Sequence, residues 1–528
     1  MKRIREFFHR AASFLPPSEV VGIISIIVLS LFLRAMSILA APFSSDESLY
    51  SYASYAISQG LIPYREIQLA HPPFMYLFNA VFIRLTGPNL IYLRLWTIGI
   101  NLANVFLVYL MVKVILRNQK WSGKLGVLSA GIYAFYPAIT AVSSSLEAIL
   151  TFFILMSLIL YVQSHSSSRK TLLFLSGIFM GCALMTKLPA IFFIATILIY
   201  HLVYALWHKE HRRVFLELPI ILLGIAIPVT FTLLWIVFSC GAFNQFYMQI
   251  FQWQVIRPPQ LLSERYGNIS FYANVFLPLI AIAALSLPYF VKHIKAHENH
   301  LVFLPAILYV ANIVAFLALS RFILFHYFIF LSPFLVFLDA ISLNQIAQII
   351  KKKPKISAKP SFGFVFLLIS AVILAATLVP FFATRPGVDL VTPFADNPYA
   401  KTEYYIGNYV AAITNQSDKI WTSEGGIAFF AQRSIATPNS SDWPVQAFFD
   451  DMFDVLSPSQ FVETWENEET KVVIFILGKG FVPYPDGYLW YGTSNTTGVA
   501  SYIQEKYELK KFLTASGIAY TYEIWVRK

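Results

Sequence analysis

Charge and cysteine are both scarce. Only 13% of the 528 residues are Asp, Glu, Lys or Arg and 57% are hydrophobic, a balance that excludes an ordinary soluble globular domain. The two cysteines, Cys182 and Cys240, both stand in apolar stretches. That excludes a disulfide framework and a thiolate metal centre, and no redox chemistry is expected. Acids are scarcest in the first part: residues 1–381 hold 11 Asp and Glu against 28 Lys and Arg, whereas residues 382–528 hold 17 against 11. The basic residues lie scattered in short loops between apolar segments rather than on one solvated face, which excludes a nucleic-acid partner.

What fills the chain instead is long apolar runs. A bilayer core takes roughly 20 apolar residues per helix. On that measure eleven spans are expected, at about 19–41, 91–113, 125–142, 147–163, 171–187, 189–206, 217–239, 271–291, 301–320, 322–343 and 361–381. Lys and Arg in short loops resist translocation. The loops on the N-terminal side hold 20 cations, including the "KKKPK" cluster, against six on the other: Arg65, Arg84, Lys187, Arg257, Arg265 and Arg321. The N-terminus is therefore expected in the cytosol of a plasma-membrane protein, and the acidic C-terminal portion outside. "SILAAP" offers small residues for a signal peptidase, but the apolar stretch before it is longer than the usual h-region of about 7–15 residues.

Beyond Phe382 the pattern changes to short apolar strands, amphipathic stretches and turns. "KIWTS" and "VVIFIL" read as buried strands and 399–413 as a helix, which suggests a small α/β domain. Asn-x-Ser/Thr sequons at Asn268, Asn415, Asn439 and Asn495 all fall on the predicted outer face. Acceptor recognition and a structural cap are equally good readings of this domain.

The first outer loop, 42–90, is too long for a simple connection. It opens "SSDESLY", where Ser45 is an N-cap candidate and 46–58 have helical spacing, with Leu49, Tyr52, Ala53 and Ala56 on one side. This predicts an interfacial helix with Asp46 and Glu47 in its first turn and Gly60 at its end. His71-Pro72-Pro73 then starts a second helix of about 12 residues. Asp46 and Glu47 could simply oppose the helix dipole. Other ionisable groups on the same side point further: of ten histidines only His71 and His326 fall on the outer side, Arg94, Lys187 and Arg321 sit at outer ends of spans, and Glu147 opens the fourth. Single cations there usually snorkel. Together they describe a cavity at the membrane interface, with carboxylates able to deprotonate a hydroxyl and cations able to hold an anionic lipid head group.

Three stretches carry a resemblance. "DESLY" after the first span, "AHPPF" some 25 residues on and "SRFILFHYFIFLSPFL", with "MTKLPA" as a weaker match, resemble the multispan GT-C glycosyltransferases. The branch is the one with protein O-mannosyltransferases and lipid A aminoarabinose transferases. The resemblance implies a mostly α, polytopic membrane domain over 1–381, with about eleven transmembrane helices and interfacial helices in the first outer loop, followed by an extracytoplasmic α/β domain over 382–528. It implies transfer of a single sugar from a polyprenyl- or dolichyl-phosphate donor to an acceptor hydroxyl on a protein, glycan or lipid. Asp46 becomes the general base and Glu47 a supporting carboxylate, while His71, Arg94, Lys187, Arg321, His326 and Tyr327 line the donor phosphate pocket. The aminoarabinose transferases have a Glu-Lys-Pro-Pro run whose Glu helps to bind zinc; Ala70 stands in its place here, so no metal or other cofactor is indicated. No Trp-Trp-Asp signature occurs, which argues against transfer of whole oligosaccharides to asparagine. A flippase for lipid-linked sugars and a catalytically silent scaffold are the alternatives, although no internal repeat of the transporter kind is seen.

Overall fold

The computed structural model describes residues 16–38, 45–119, 121–136, 145–167, 169–209, 211–252, 261–296, 300–320, 325–352, 398–422, 425–436, 458–478, 497–514 and 520–528. The membrane part is a helical bundle: α1 (Pro17–Ser37), α2 (Ser45–Ser58), α3 (Phe74–Thr86), α4 (Leu90–Ile115), α5 (Ser122–Phe135), α6 (Ser145–Ser167), α7 (Lys170–Leu184), α8 (Ala190–Trp207), α9 (His211–Leu234), α10 (Leu262–Ala284), α11 (Leu287–Ala296), α12 (Leu304–Leu319) and α13 (Ser332–Lys352). Only helices satisfy every backbone donor and acceptor within one segment, so a lipid-embedded chain of this composition folds this way.

Among the described residues eight helical stretches are long and apolar enough to cross a membrane. Of the other three predicted spans, 171–187 appears as the shorter apolar helix α7. The span at 125–142 begins as α5 and its end lies outside the described residues, as does the whole of 361–381. Most of the apolar stretch Tyr327–Ile346 is buried and little of Pro17–Ala35 is, so α13 lies inside the bundle and α1 lines its rim. Val21, Ile24, Val28 and Phe32 on α1 are correspondingly exposed, as a lipid-facing surface requires.

Apolar surface gives helices little reason to associate inside a bilayer, where close packing does that work. It is visible between α7 and α9. A methyl group added at Gly177 would run into the Ile221 carbonyl, and one at Gly224 into the Phe174 carbonyl.

The loop between the first two spans holds the two helices read from its sequence. α2 buries Leu49, Tyr52, Ala53 and Ala56, and the chain leaves it through Gly60 at φ 99°, a left-handed turn that favours glycine. Pro73 caps α3.

The C-terminal region holds α14 (Pro398–Ile413), β1 (Lys419–Thr422), α15 (Gly425–Ala431), β2 (Ser434–Ile435), α16 (Pro458–Asn467), β3 (Val472–Gly478), α17 (Thr497–Lys506), β4 (Tyr507–Thr514) and β5 (Tyr520–Arg527). Its five strands are ordered β2-β1-β3-β5-β4. β1 is parallel to β2 and β3, and β5 is antiparallel to β3 and β4. "KIWT" and "VVIFIL" are thus adjacent parallel strands, in register Ile420 to Val472. The junction expected at 382 lies outside the described residues. The domain is seated on the first loop: the Gly426 amide donates to Ser48 Oγ (2.5 Å), the Ile435 amide donates to the Tyr52 hydroxyl (2.7 Å), and Phe429 meets Tyr55 edge to face.

Candidate active site

α2 delivers two neighbouring carboxylates into different surroundings, because successive helical residues point about 100° apart. Asp46 is half-buried. Glu47 is buried and meets Arg94 of α4 in a two-pronged pair, Nε to Oε1 and Nη2 to Oε2, both at 2.8 Å. The third nitrogen of Arg94, Nη1, donates to the Ile38 carbonyl. Arg94 was expected to line a phosphate pocket. In the structure Arg94 pairs with Glu47 and reaches the end of α1.

A second buried pair lies nearby. Lys187, in the turn between α7 and α8, donates to Glu147 at the start of α6 (2.7 Å). Its ammonium also stands 4.0 Å from the centre of the Tyr327 ring, a geometry that favours a cation over the π face. The same turn is tied to the His-Pro-Pro segment, since the Phe74 amide donates to the Met185 carbonyl (3.1 Å).

His71 completes the arrangement through its contact with Tyr50 of α2, 3.2 Å from ring Nε2 to the hydroxyl. The Tyr64 hydroxyl donates to the His71 carbonyl (3.2 Å). Gln249 bridges the loop, accepting from the Leu69 amide (3.0 Å) and donating to the Tyr64 carbonyl (2.8 Å). These bonds hold a loop that would otherwise cost considerable entropy to order.

Tyr50 links the parts. Its hydroxyl is held neutral well above the usual phenol range, first by burial and then by the negative fields of Asp46 and Glu147, with Tyr76 and Tyr327 also acting on it. Burial likewise holds the Tyr76 hydroxyl neutral, with Asp46 again adding to the effect. Asp46, Glu147, Tyr327 and, through Lys187 and His71, the two loop segments therefore share one neighbourhood around Tyr50. Sequence reading missed Tyr50. It sits four residues after Asp46, on the same helical face, and that spacing was the available signal. Arg321 lies outside the described residues, and the described part of His326 is its backbone in the turn Phe325–Leu331.

The model of the family described as dolichyl-phosphate-mannose-protein mannosyltransferase matches residues 70–238, beginning at the His-Pro-Pro segment and running past Lys187. ArnT from Cupriavidus metallidurans bound to undecaprenyl phosphate has a similar structure at 14% identity, over 95% of this chain and 97% of that one, with a TM-score of 0.58. The same protein in its apo state matches over 96% and 98% at 14% identity and a TM-score of 0.57. The fold is that of the GT-C glycosyltransferases. The GT-C likeness extends to the apo oligosaccharyltransferase of Archaeoglobus fulgidus, at 11% identity over 86% of this chain and 69% of that one, with a TM-score of 0.52. No curated protein matches this chain in sequence. The GT-C fold makes the chain an integral membrane protein, and its bundle carries the acid–cation site at one end.

Proposed function

We propose that the protein is a membrane glycosyltransferase that moves a single sugar from a polyprenyl- or dolichyl-phosphate donor to an acceptor hydroxyl on the outer face of the membrane. The observation that carries the reading is the neighbourhood of Tyr50, where the half-buried Asp46 and the Lys187–Glu147 pair meet at one end of a GT-C bundle. That ArnT of the same fold is bound to undecaprenyl phosphate supports a lipid phosphate as donor.

In the proposed reaction the acceptor oxygen attacks the anomeric carbon from the face opposite the phosphate, and its proton passes to the Asp46 carboxylate. The bond from the anomeric carbon to the phosphate oxygen breaks, with its electron pair leaving on the lipid phosphate. The sugar is inverted. An ammonium carries three donors, so Lys187 can hold Glu147 while another donor meets the phosphate, where positive charge opposes the charge growing on the leaving group. Glu47, fixed by Arg94, positions the first turn of α2. The cation bias of the loops favours a cytosolic N-terminus and an outer C-terminal domain, in keeping with a donor whose activation is built into the lipid.

The test is turnover of a radiolabelled polyprenyl-phosphate sugar by the purified protein. Asp46→Asn should lower it by about 10²–10⁴-fold and leave the melting temperature unchanged. Full activity in that variant would remove Asp46 from the chemistry, and a wild-type protein that never consumes any such donor would overturn the enzymatic reading.

A further inference from the structure

The opposite end of the bundle carries a second cluster of chemically active side chains. His165 lies 18 positions after Glu147 on α6, about 27 Å away at 1.5 Å per residue. There it meets His201 of α8 and Glu217 of α9. One ligand atom from each of the three lies within 4.8 Å of the others. We propose that His165, His201 and Glu217 bind a divalent transition metal of the zinc class, tying together the ends of α6, α8 and α9.

The spacing fits a metal better than direct hydrogen bonds. His201 Nε2 is 3.8 Å from Glu217 Oε2, too long for a hydrogen bond. It is close to the ~3.4 Å between ligands that tetrahedral bonds of about 2.1 Å produce. Tyr161 orients both rings. Its carbonyl faces His165 Nδ1 at 3.1 Å and its hydroxyl faces His201 Nδ1 at 3.2 Å. A carbonyl only accepts, so the His165 proton sits on Nδ1 and Nε2 carries the lone pair. A second group that fixes the ring tautomer is the usual companion of a metal-bound histidine.

His201 is fully buried and Glu217 partly so. Two imidazoles and one carboxylate suit zinc or cobalt better than calcium or magnesium, which prefer oxygen, and leave a fourth position for water. His300 borders the cluster, its ring centroid 6.4 Å from that of His165 and stacked on Tyr204 at 3.8 Å.

Metal binding here is independent of glycosyl transfer at the other end. The full-length protein in detergent, stripped with chelator and titrated with Co²⁺, should develop visible absorption saturating at about one ion per chain and displaced by Zn²⁺. Glu217→Gln, on the more exposed ligand, and His165→Gln should each weaken binding about tenfold or more while the protein stays folded. His71→Gln should leave the spectrum as it was. No Co²⁺ spectrum, or one untouched by both ligand variants, would overturn the site. A spectrum lost in His71→Gln instead would place the metal at the acid–cation end and equally refute the proposal.

Discussion

The two acids of α2 show how neighbouring side chains of one chemical type enter different surroundings. Glu47 has a bidentate partner in Arg94, and both are buried. Removing one member of such a pair leaves an uncompensated buried charge, at a cost of about 3–5 kcal/mol. Glu47→Gln should therefore lower the melting temperature and the folded yield together, whereas Asp46→Asn should touch only turnover. Thermal unfolding of the two variants beside the wild type separates these roles, and equal melting temperatures would show that Arg94 is not dependent on Glu47. The place of both acids in the first turn of a helix was legible from their position after the first span. The pairing of Glu47 with Arg94 was not, because Arg94 lies 47 positions away and sequence spacing says nothing about such a contact.

At the scale of elements, α7 and α9 approach each other closely. Gly177 and Gly181 are spaced by four, the small-x-x-x-small pattern of membrane helices, and each faces backbone of α9. Gly177→Leu should force the helices apart at a cost of about 1–3 kcal/mol, read as a lower melting temperature in detergent. Gly99, on α4 with nothing within 4 Å of an added Cβ, is the control: Gly99→Leu should be close to neutral. The interfacial helices α2 and α3 were readable from their periodicity and from the prolines and glycine around them. The span at 171–187 was readable only as an apolar run, since its shorter helix is set by the turn at 185–189 that brings Lys187 to Glu147.

Across the whole molecule, the C-terminal sheet region bears on the helix that carries the acids. Ser48 accepts from Gly426 and Tyr52 from Ile435, so α2 is clamped between the bundle and α15. Ser48→Ala combined with Tyr52→Phe leaves two buried amides without acceptors, at about 1–3 kcal/mol each. Faster hydrogen exchange over 425–435 and lower turnover are the expected results. Unchanged exchange would mean that the domain is held elsewhere. The strands of this domain were legible as apolar runs, and its seat on α2 was not.

Composition and apolar run length determined by themselves that this is a helical membrane protein, and the change of pattern beyond Phe382 that a smaller part with strands follows the helices. These are sums over many residues, and the bilayer reads them locally, segment by segment. The acid pair and the His-Pro-Pro turn were likewise local features of one loop. Only the tertiary structure decided the partners: Arg94 for Glu47, Glu147 for Lys187, Tyr50 between the two regions, and the imidazoles of His165 and His201 beside Glu217. Each of these joins residues far apart in the chain. Their distances follow from how the helices pack, and packing depends on contacts that no stretch of sequence contains.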